Sequence, residues 1–152
     1  MEQIKYYREV LDAIKESLPK KKSRSYRLTY ILVEKARFNL GNMLKFINKE
    51  PSVYRKATLD RLNGDSDYIP PEQDKNNNFT IPEFDTEIKY IDYIREVLLA
   101  MFEELGKTYY KNNEVIIDDI YFKLFLDATL ENLITARNYG GLVLRDIANE
   151  ST

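Results

Sequence analysis

The sequence contains no cysteine and no histidine, and these two absences remove most of the usual catalytic and metal-binding side chains. Without cysteine there is no disulfide, no thiolate nucleophile and no zinc-thiolate site. Without histidine the chain lacks the commonest general base, pH switch and metal ligand. Any catalysis would therefore depend on carboxylate, lysine, tyrosine, serine or threonine side chains.

Glycine and proline are also scarce, with five of each in 152 residues. Long stretches free of both favour helices over an all-β fold. No run approaches the roughly 18 apolar residues of a membrane span, and the N-terminal "MEQIKYYREVL" lacks the apolar core of a signal peptide. We therefore expect a globular protein in the cytoplasm, with no membrane partner.

Charge is divided unevenly along the chain. Residues 1–62 carry 15 Lys and Arg against 7 Asp and Glu, whereas residues 63–152 carry 8 against 18. This division suggests a basic half that faces a polyanion and an acidic half that faces solvent or a basic partner. Alternatively, the two halves attract each other within the fold.

Apolar residues recur at helical spacing over most of the chain, which predicts an all-α fold: a single helical bundle domain, residues 1–152, of about five helices. Pro19 ends the first helix, Asp118 caps the fifth, and Gly140 and Gly141 stop it. A Pro/Asn-rich loop at 63–84 separates the basic half (1–62) from the acidic helical half (85–152). The segment "KTYYKNNEVII" (107–117) could be a loop or a short strand. The predicted helices cover about residues 4–18, 24–48, 50–63, 86–105 and 118–139.

The most unusual local feature is "PKKKSRSYR" (19–27), which places five positive charges within eight residues. On the helix that follows, five basic residues share an arc of about 80° opposite an apolar stripe. Ile31 and Phe38 lie inside this basic arc, where a ring can stack on a base or contact another subunit. The members of the arc are Arg24, Arg27, Lys35, Lys45 and Lys49.

We interpret this face as a surface for a nucleic-acid backbone, with the lysines before the helix as a basic extension. Lys and Arg gain affinity for phosphates through counterion release and do not read sequence. A purely solubilising role for the cluster and a packing role for Phe38 are the alternatives. The candidate nucleic-acid contacts are Lys20, Lys21, Lys22, Arg24, Arg27, Lys35, Arg37, Phe38, Lys45 and Lys49.

Two pairs of adjacent acids, 103–104 and 118–119, could hold a magnesium ion for phosphoryl chemistry. A helix cap at Asp118 and a surface position for the other pair explain them better. Glu131, within an apolar helix, is expected to be buried and to pair with Arg137 or Arg145. We expect no enzyme activity and no cofactor.

The last predicted helix, "YFKLFLDATLENLITARNYGG" (121–141), resembles the closing helix of the Csm-type small helical subunit of type III CRISPR effector complexes. In that family a late helix carries Phe residues, then an acid within an apolar stretch, and ends in an aromatic residue next to glycine. The likeness extends back to about residue 85. The matching positions are Phe122, Phe125, Glu131, Tyr139 and Gly140.

This resemblance implies a non-catalytic subunit of an antiviral ribonucleoprotein. Several copies would stack along the guide RNA and its target, with RNA a better candidate ligand than DNA. The implied protein partners are the backbone subunits, the large signalling subunit and further copies of the chain itself. The acidic half would suit contact with basic neighbours.

A second resemblance lies in "ARFNLGNMLKFI" (36–47) and "DYIPP" (67–71). These segments resemble the C-terminal domain of the primase large subunit, where an arginine-led helix precedes a Tyr-Pro segment. That domain normally holds an iron-sulfur cluster on cysteines, which this chain lacks. The resemblance implies an iron-free accessory primase subunit, with Arg37 as its nucleotide contact. A helical protein-protein interaction module, such as a viral inhibitor, is a third alternative.

Overall fold

The computed structural model describes residues 2–21, 23–47 and 79–150. These residues are mostly helical, which confirms the all-α prediction. Four helices are described, and the predicted helix at 50–63 lies outside the described residues, as do residues 63–78 of the predicted loop. The helices are α1 (Glu2–Ser17), α2 (Arg24–Ile47), α3 (Glu87–Tyr109) and α4 (Ile120–Glu150), and two short strands, β1 (Tyr110–Lys111) and β2 (Glu114–Val115), lie between α3 and α4.

The four helices pack side by side around a shared apolar core. Each contributes residues spaced three or four apart, because only that spacing keeps apolar side chains on one face. Pro19 lies two residues beyond α1, since proline cannot continue a helix. The fully buried large side chains include Ile4, Leu11, Ile14, Leu40, Met43, Ile94, Leu98, Leu105, Phe122 and Leu126.

Contacts at the helix ends fix the direction of each helix. Gln3 Nε2 donates to Thr108 Oγ1 at 3.2 Å, so the start of α1 meets the end of α3. Ser23 Oγ donates to Asp146 Oδ2 at 3.4 Å, so the start of α2 meets the end of α4. Helices α2 and α3 therefore run one way and α1 and α4 the other. We call the end that holds the α1–α2 connection the turn end, and the opposite end the hairpin end.

The ambiguous segment 107–117 continues α3 to Tyr109 and then forms a tight β-hairpin. Asn112 and Asn113 occupy its two-residue loop with φ values of 54° and 65°. Two successive positive φ values are typical of a type I′ turn, and asparagine tolerates that conformation better than most residues. A hydrogen bond from the Tyr110 hydroxyl to Asp127 joins the hairpin to α4. Burial, together with this hydrogen bond, raises the pKa of Tyr110 to about 12.

The predicted end of the last helix at Gly140-Gly141 is wrong. Helix α4 continues through both glycines to Glu150. Gly140 is buried, and a Cβ added there would approach Arg95 Cγ to 2.9 Å. Arg95 crosses α4 at this point, and its Nε donates to the Arg137 carbonyl at 3.2 Å. The glycine therefore provides space for a side chain of α3 and does not end the helix.

Two further details of the sequence prediction need correction. Asp119, not Asp118, caps α4, because its Oδ1 accepts from the backbone N–H groups of Tyr121 and Phe122 at 2.8 and 3.1 Å. Glu131 is exposed, not buried. No helix among the described residues combines the length and apolar character of a membrane span.

Candidate nucleic-acid interface

The exposed side of α2 carries cationic and apolar side chains in alternation. Arg24 and Arg27 in its first turn and Lys35 two turns later are all exposed. Between and beyond them, Ile31 is 42% and Phe38 41% exposed. These residues recur every three or four positions, so they follow one line along the helix for about 20 Å. We call these five residues the cationic stripe.

The described part of the chain provides no counter-charge for the cations of the stripe. No acidic side chain of the described residues pairs with Arg24, Arg27 or Lys35. Glu34 lies at the border of the stripe, and its Oε2 is 3.5 Å from Lys15 Nζ of α1. A row of exposed cations on one helix face attracts polyanions.

Two of the predicted contacts do not share this exposed line. Arg37 is only 4% exposed and forms an ion pair with Asp12 of α1. Its guanidinium is therefore committed to the α1–α2 contact, so we remove Arg37 from the candidate interface. Lys45 is half-buried near the end of α2. Lys22 and Lys49 lie outside the described residues.

The turn end extends the stripe with two exposed lysines, Lys20 and Lys21, of the α1–α2 connection. Lys20 points its charge to solvent and pairs with no acid in the described part of the chain. Lys21, in contrast, forms an ion pair with Glu87, because its Nζ is 2.8 Å from Oε1 and 3.1 Å from Oε2 of that residue. Glu87 lies in the first turn of α3, where a negative charge is also favoured by the helix dipole.

Tyr26 completes this contact between the connection and α3. Its hydroxyl donates to Glu87, and its ring lies beneath Lys21, whose Nζ is 5.4 Å from the ring centroid. Burial, then the hydrogen bond to Glu87, raises the pKa of Tyr26 above its ordinary range. Burial alone would raise the pKa of Glu87, but hydrogen bonds from Lys21 and Tyr26 outweigh it and lower that pKa. We call Lys21, Tyr26 and Glu87 the turn cluster.

The contacts of the turn cluster could not be predicted from the sequence. Glu87 belongs to the acidic half and lies 61 residues from Tyr26 in sequence. Its ion pair with Lys21 links the acidic half to the basic half. Lys15–Glu34 and Arg37–Asp12, in contrast, are ion pairs inside the basic half, and the stripe retains its positive charge.

The acidic pairs do not form a metal site in the described residues, where no group of three or more Asp and Glu side chains converges. Asp119 is occupied as a helix cap. Glu104 Oε1 is 3.6 Å from Lys107 Nζ on the surface of α3.

Comparison of the chain with protein-family models, with curated proteins and with solved structures finds no match. The two family resemblances in the sequence therefore stay predictions. A function can therefore be proposed only from the exposure and charge of the stripe residues.

Proposed function

We propose that this protein is a non-catalytic nucleic-acid-binding subunit that holds a phosphate backbone along the cationic stripe of α2. The observation that carries the proposal is a line of exposed cations on one helix, Arg24, Arg27 and Lys35, that pair with no acid of residues 2–21, 23–47 and 79–150. Phosphates bound there release condensed counterions, which supplies affinity without sequence readout. Lys20 extends the same charge beyond the start of the helix.

The two exposed apolar residues of the stripe favour a nucleic acid over other polyanions. A simple solubilising face would carry polar residues between its cations, whereas here Ile31 and Phe38 occupy those positions. An exposed ring beside cations can stack on a base, and such stacking tolerates any sequence. The proposed ligand is therefore bound through backbone charge and non-specific stacking.

The resemblance to the Csm-type small subunit fits this proposal in character and makes RNA the first ligand to test. In that setting the protein would work as a component of a larger complex in the cytoplasm, possessing no catalytic site of its own. The accessory primase subunit is disfavoured, because its proposed nucleotide contact, Arg37, is buried and paired with Asp12.

The test is a binding experiment with a fluorescently labelled single-stranded RNA, measured by anisotropy at low salt. We compare the triple variant Arg24→Glu, Arg27→Glu, Lys35→Glu with a control that makes the same change in net charge at the hairpin end. The control changes Lys5, Lys107 and Lys111, which are all exposed. We expect the stripe variant to weaken binding by more than roughly tenfold and the control to weaken it far less. An equal loss of affinity in the two variants would mean that only the net charge matters, and it would refute the stripe as the binding surface.

A further inference from the structure

A groove lies at the turn end, beside the first turns of the cationic stripe. It encloses about 470 Å³ between the α1–α2 connection and the start of α2. This volume is in the range of small-ligand sites, although the groove is open on one side. Its apolar wall is formed by Pro19, Tyr26, Tyr30 and Ile31.

Only some of the residues that line the apolar wall are accessible to a ligand. Tyr26 is almost completely buried, and Lys21 lies over its ring. Tyr30 is half-buried, while Ile31 is exposed and belongs to the stripe as well. A ligand in the groove would therefore contact Tyr30 and Ile31, and from there it would continue directly onto the stripe.

Cations surround this apolar wall. Lys20, Lys21 and Arg27 also line the groove. Glu87 compensates the charge of Lys21, whereas Lys20 and Arg27 have no acidic partner among the described residues. The groove thus offers an apolar surface next to two cations that have no acidic partner in the described part of the chain.

Few ligands combine a flat apolar face with an adjacent anion. An acidic peptide supplies both parts only where an aromatic residue lies next to its carboxylates, and inside a duplex each base is covered on both faces by its neighbours. An unpaired nucleotide supplies both parts, because its base is free to stack and its phosphate follows at a fixed distance. We infer that the groove takes one unpaired base of a single-stranded nucleic acid whose backbone continues along the cationic stripe.

This inference rests on the proposed function and adds a preference for single strands to it. The probe is a short single-stranded RNA that carries one fluorescent 2-aminopurine, compared with a duplex of the same phosphate count. A stacked 2-aminopurine loses fluorescence, so we expect quenching on binding and tighter binding of the single strand. A single-stranded DNA of the same sequence shows whether the ribose hydroxyl matters for the groove.

The matched variants are uncharged, so that they leave the backbone contacts in place. Ile31→Ser removes an exposed wall residue, and Ile116→Ser changes an exposed isoleucine at the hairpin end. Tyr30→Leu keeps apolar bulk toward the core while it removes the ring. We expect Ile31→Ser and Tyr30→Leu to weaken single-strand binding roughly fivefold or more, while Ile116→Ser stays neutral. Because Tyr30 is not part of the stripe, Tyr30→Leu should leave the salt slope and duplex binding unchanged.

The outcomes separate this inference from the function on which it rests. If none of the nucleic acids binds, the proposed function fails and the groove inference fails with it. If single strand and duplex bind alike, without quenching, and Tyr30→Leu binds as the wild-type protein does, the stripe stands and the groove inference is overturned. Equal displacement of the RNA by polyglutamate of the same charge would also overturn it, because an unpaired base would then contribute nothing.

Discussion

Glu87 shows how one residue can govern the position of a surface charge. It accepts hydrogen bonds from Lys21 and Tyr26 and so holds the α1–α2 connection against the start of α3. The hydrogen bond to Glu87 in turn raises the pKa of Lys21, so this cation stays protonated beside the carboxylate. The connection thereby presents Lys20 and the groove wall in a defined place.

Replacing Glu87 by glutamine should therefore cost stability in a pH-dependent way. The folded-state pKa of Glu87 lies below its ordinary value of 4.5, so its contribution is present above that value and lost as the pH falls through the lowered folded-state pKa. We expect Glu87→Gln to reduce the free energy of unfolding at neutral pH by about 1 kcal/mol. Urea denaturation over a pH series should show this difference disappearing in acid. A difference of the same size at every pH would mean that the carboxylate charge is irrelevant.

Arg37 is expected to stabilise the fold, whereas the cations of the stripe are expected to bind nucleic acid, and mutations can distinguish the two roles. Its replacement by alanine leaves Asp12 without its ion-pair partner and removes a buried side chain. We expect Arg37→Ala to destabilise the fold by about 2–4 kcal/mol while nucleic-acid affinity, measured below the melting transition, stays unchanged. Arg24→Ala, on the exposed stripe, is the control with the opposite pattern. Loss of affinity without loss of stability in Arg37→Ala would restore Arg37 to the interface.

At the scale of helices, the crossing of α3 and α4 depends on the absence of a side chain at Gly140. In an open helical position, replacing glycine by alanine stabilises a protein by about 0.5–1 kcal/mol. Gly106 is such a position, with no atom within 4 Å of an added Cβ, and at Gly141 the nearest atom is 3.5 Å away. At Gly140 the added Cβ would lie 2.9 Å from Arg95 Cγ, near the root of that side chain.

We therefore expect Gly106→Ala and Gly141→Ala to raise the melting temperature and Gly140→Ala to lower it. The same Gly140→Ala change in an Arg95→Ala background should become stabilising, because the clash has been removed. Thermal unfolding by circular dichroism measures all of these variants. If Gly140→Ala is as stabilising as Gly106→Ala in the wild-type background, the close contact with Arg95 does not constrain α4.

The helices themselves could be predicted because their apolar residues follow the helical period closely. The end of α4 could not, since two adjacent glycines are a typical helix stop and only the position of Arg95 shows that they provide space. Burial of Arg37 had a signal in the sequence: on the helical wheel it falls about 20° from Leu44, at the edge of the apolar stripe. The hairpin was ambiguous because Asn-Asn is a weaker turn signal than Asn-Gly.

The candidate site was predictable only in part. The stripe follows from the periodicity of α2, so its exposed members could be predicted from local sequence. The turn cluster depends on a contact between residues 61 apart, for which local patterns contain no information. The groove likewise requires the α1–α2 connection and α2 to be placed together in space.

At the scale of the whole molecule, the bundle separates two kinds of surface. The turn end and the exposed side of α2 carry exposed cations, most of which have no acidic partner among the residues described, whereas the hairpin end exposes apolar residues such as Ile120 and Leu124. Phe46 of α2 stacks on Tyr121 of α4 at that end, with ring centroids 5.7 Å apart.

The salt dependence of nucleic-acid binding tests the central claim most directly. For a single strand, the logarithm of the binding constant falls with the logarithm of salt concentration by about 0.7 per neutralised phosphate. If Arg24, Arg27 and Lys35 each contact a phosphate, replacing all three by glutamine should reduce the slope by about 2. Replacing Lys5, Lys107 and Lys111 by glutamine should not change the slope from that of the wild-type protein. An identical slope in the stripe variant and the wild-type protein would contradict the account, because no backbone phosphate would then be held by α2.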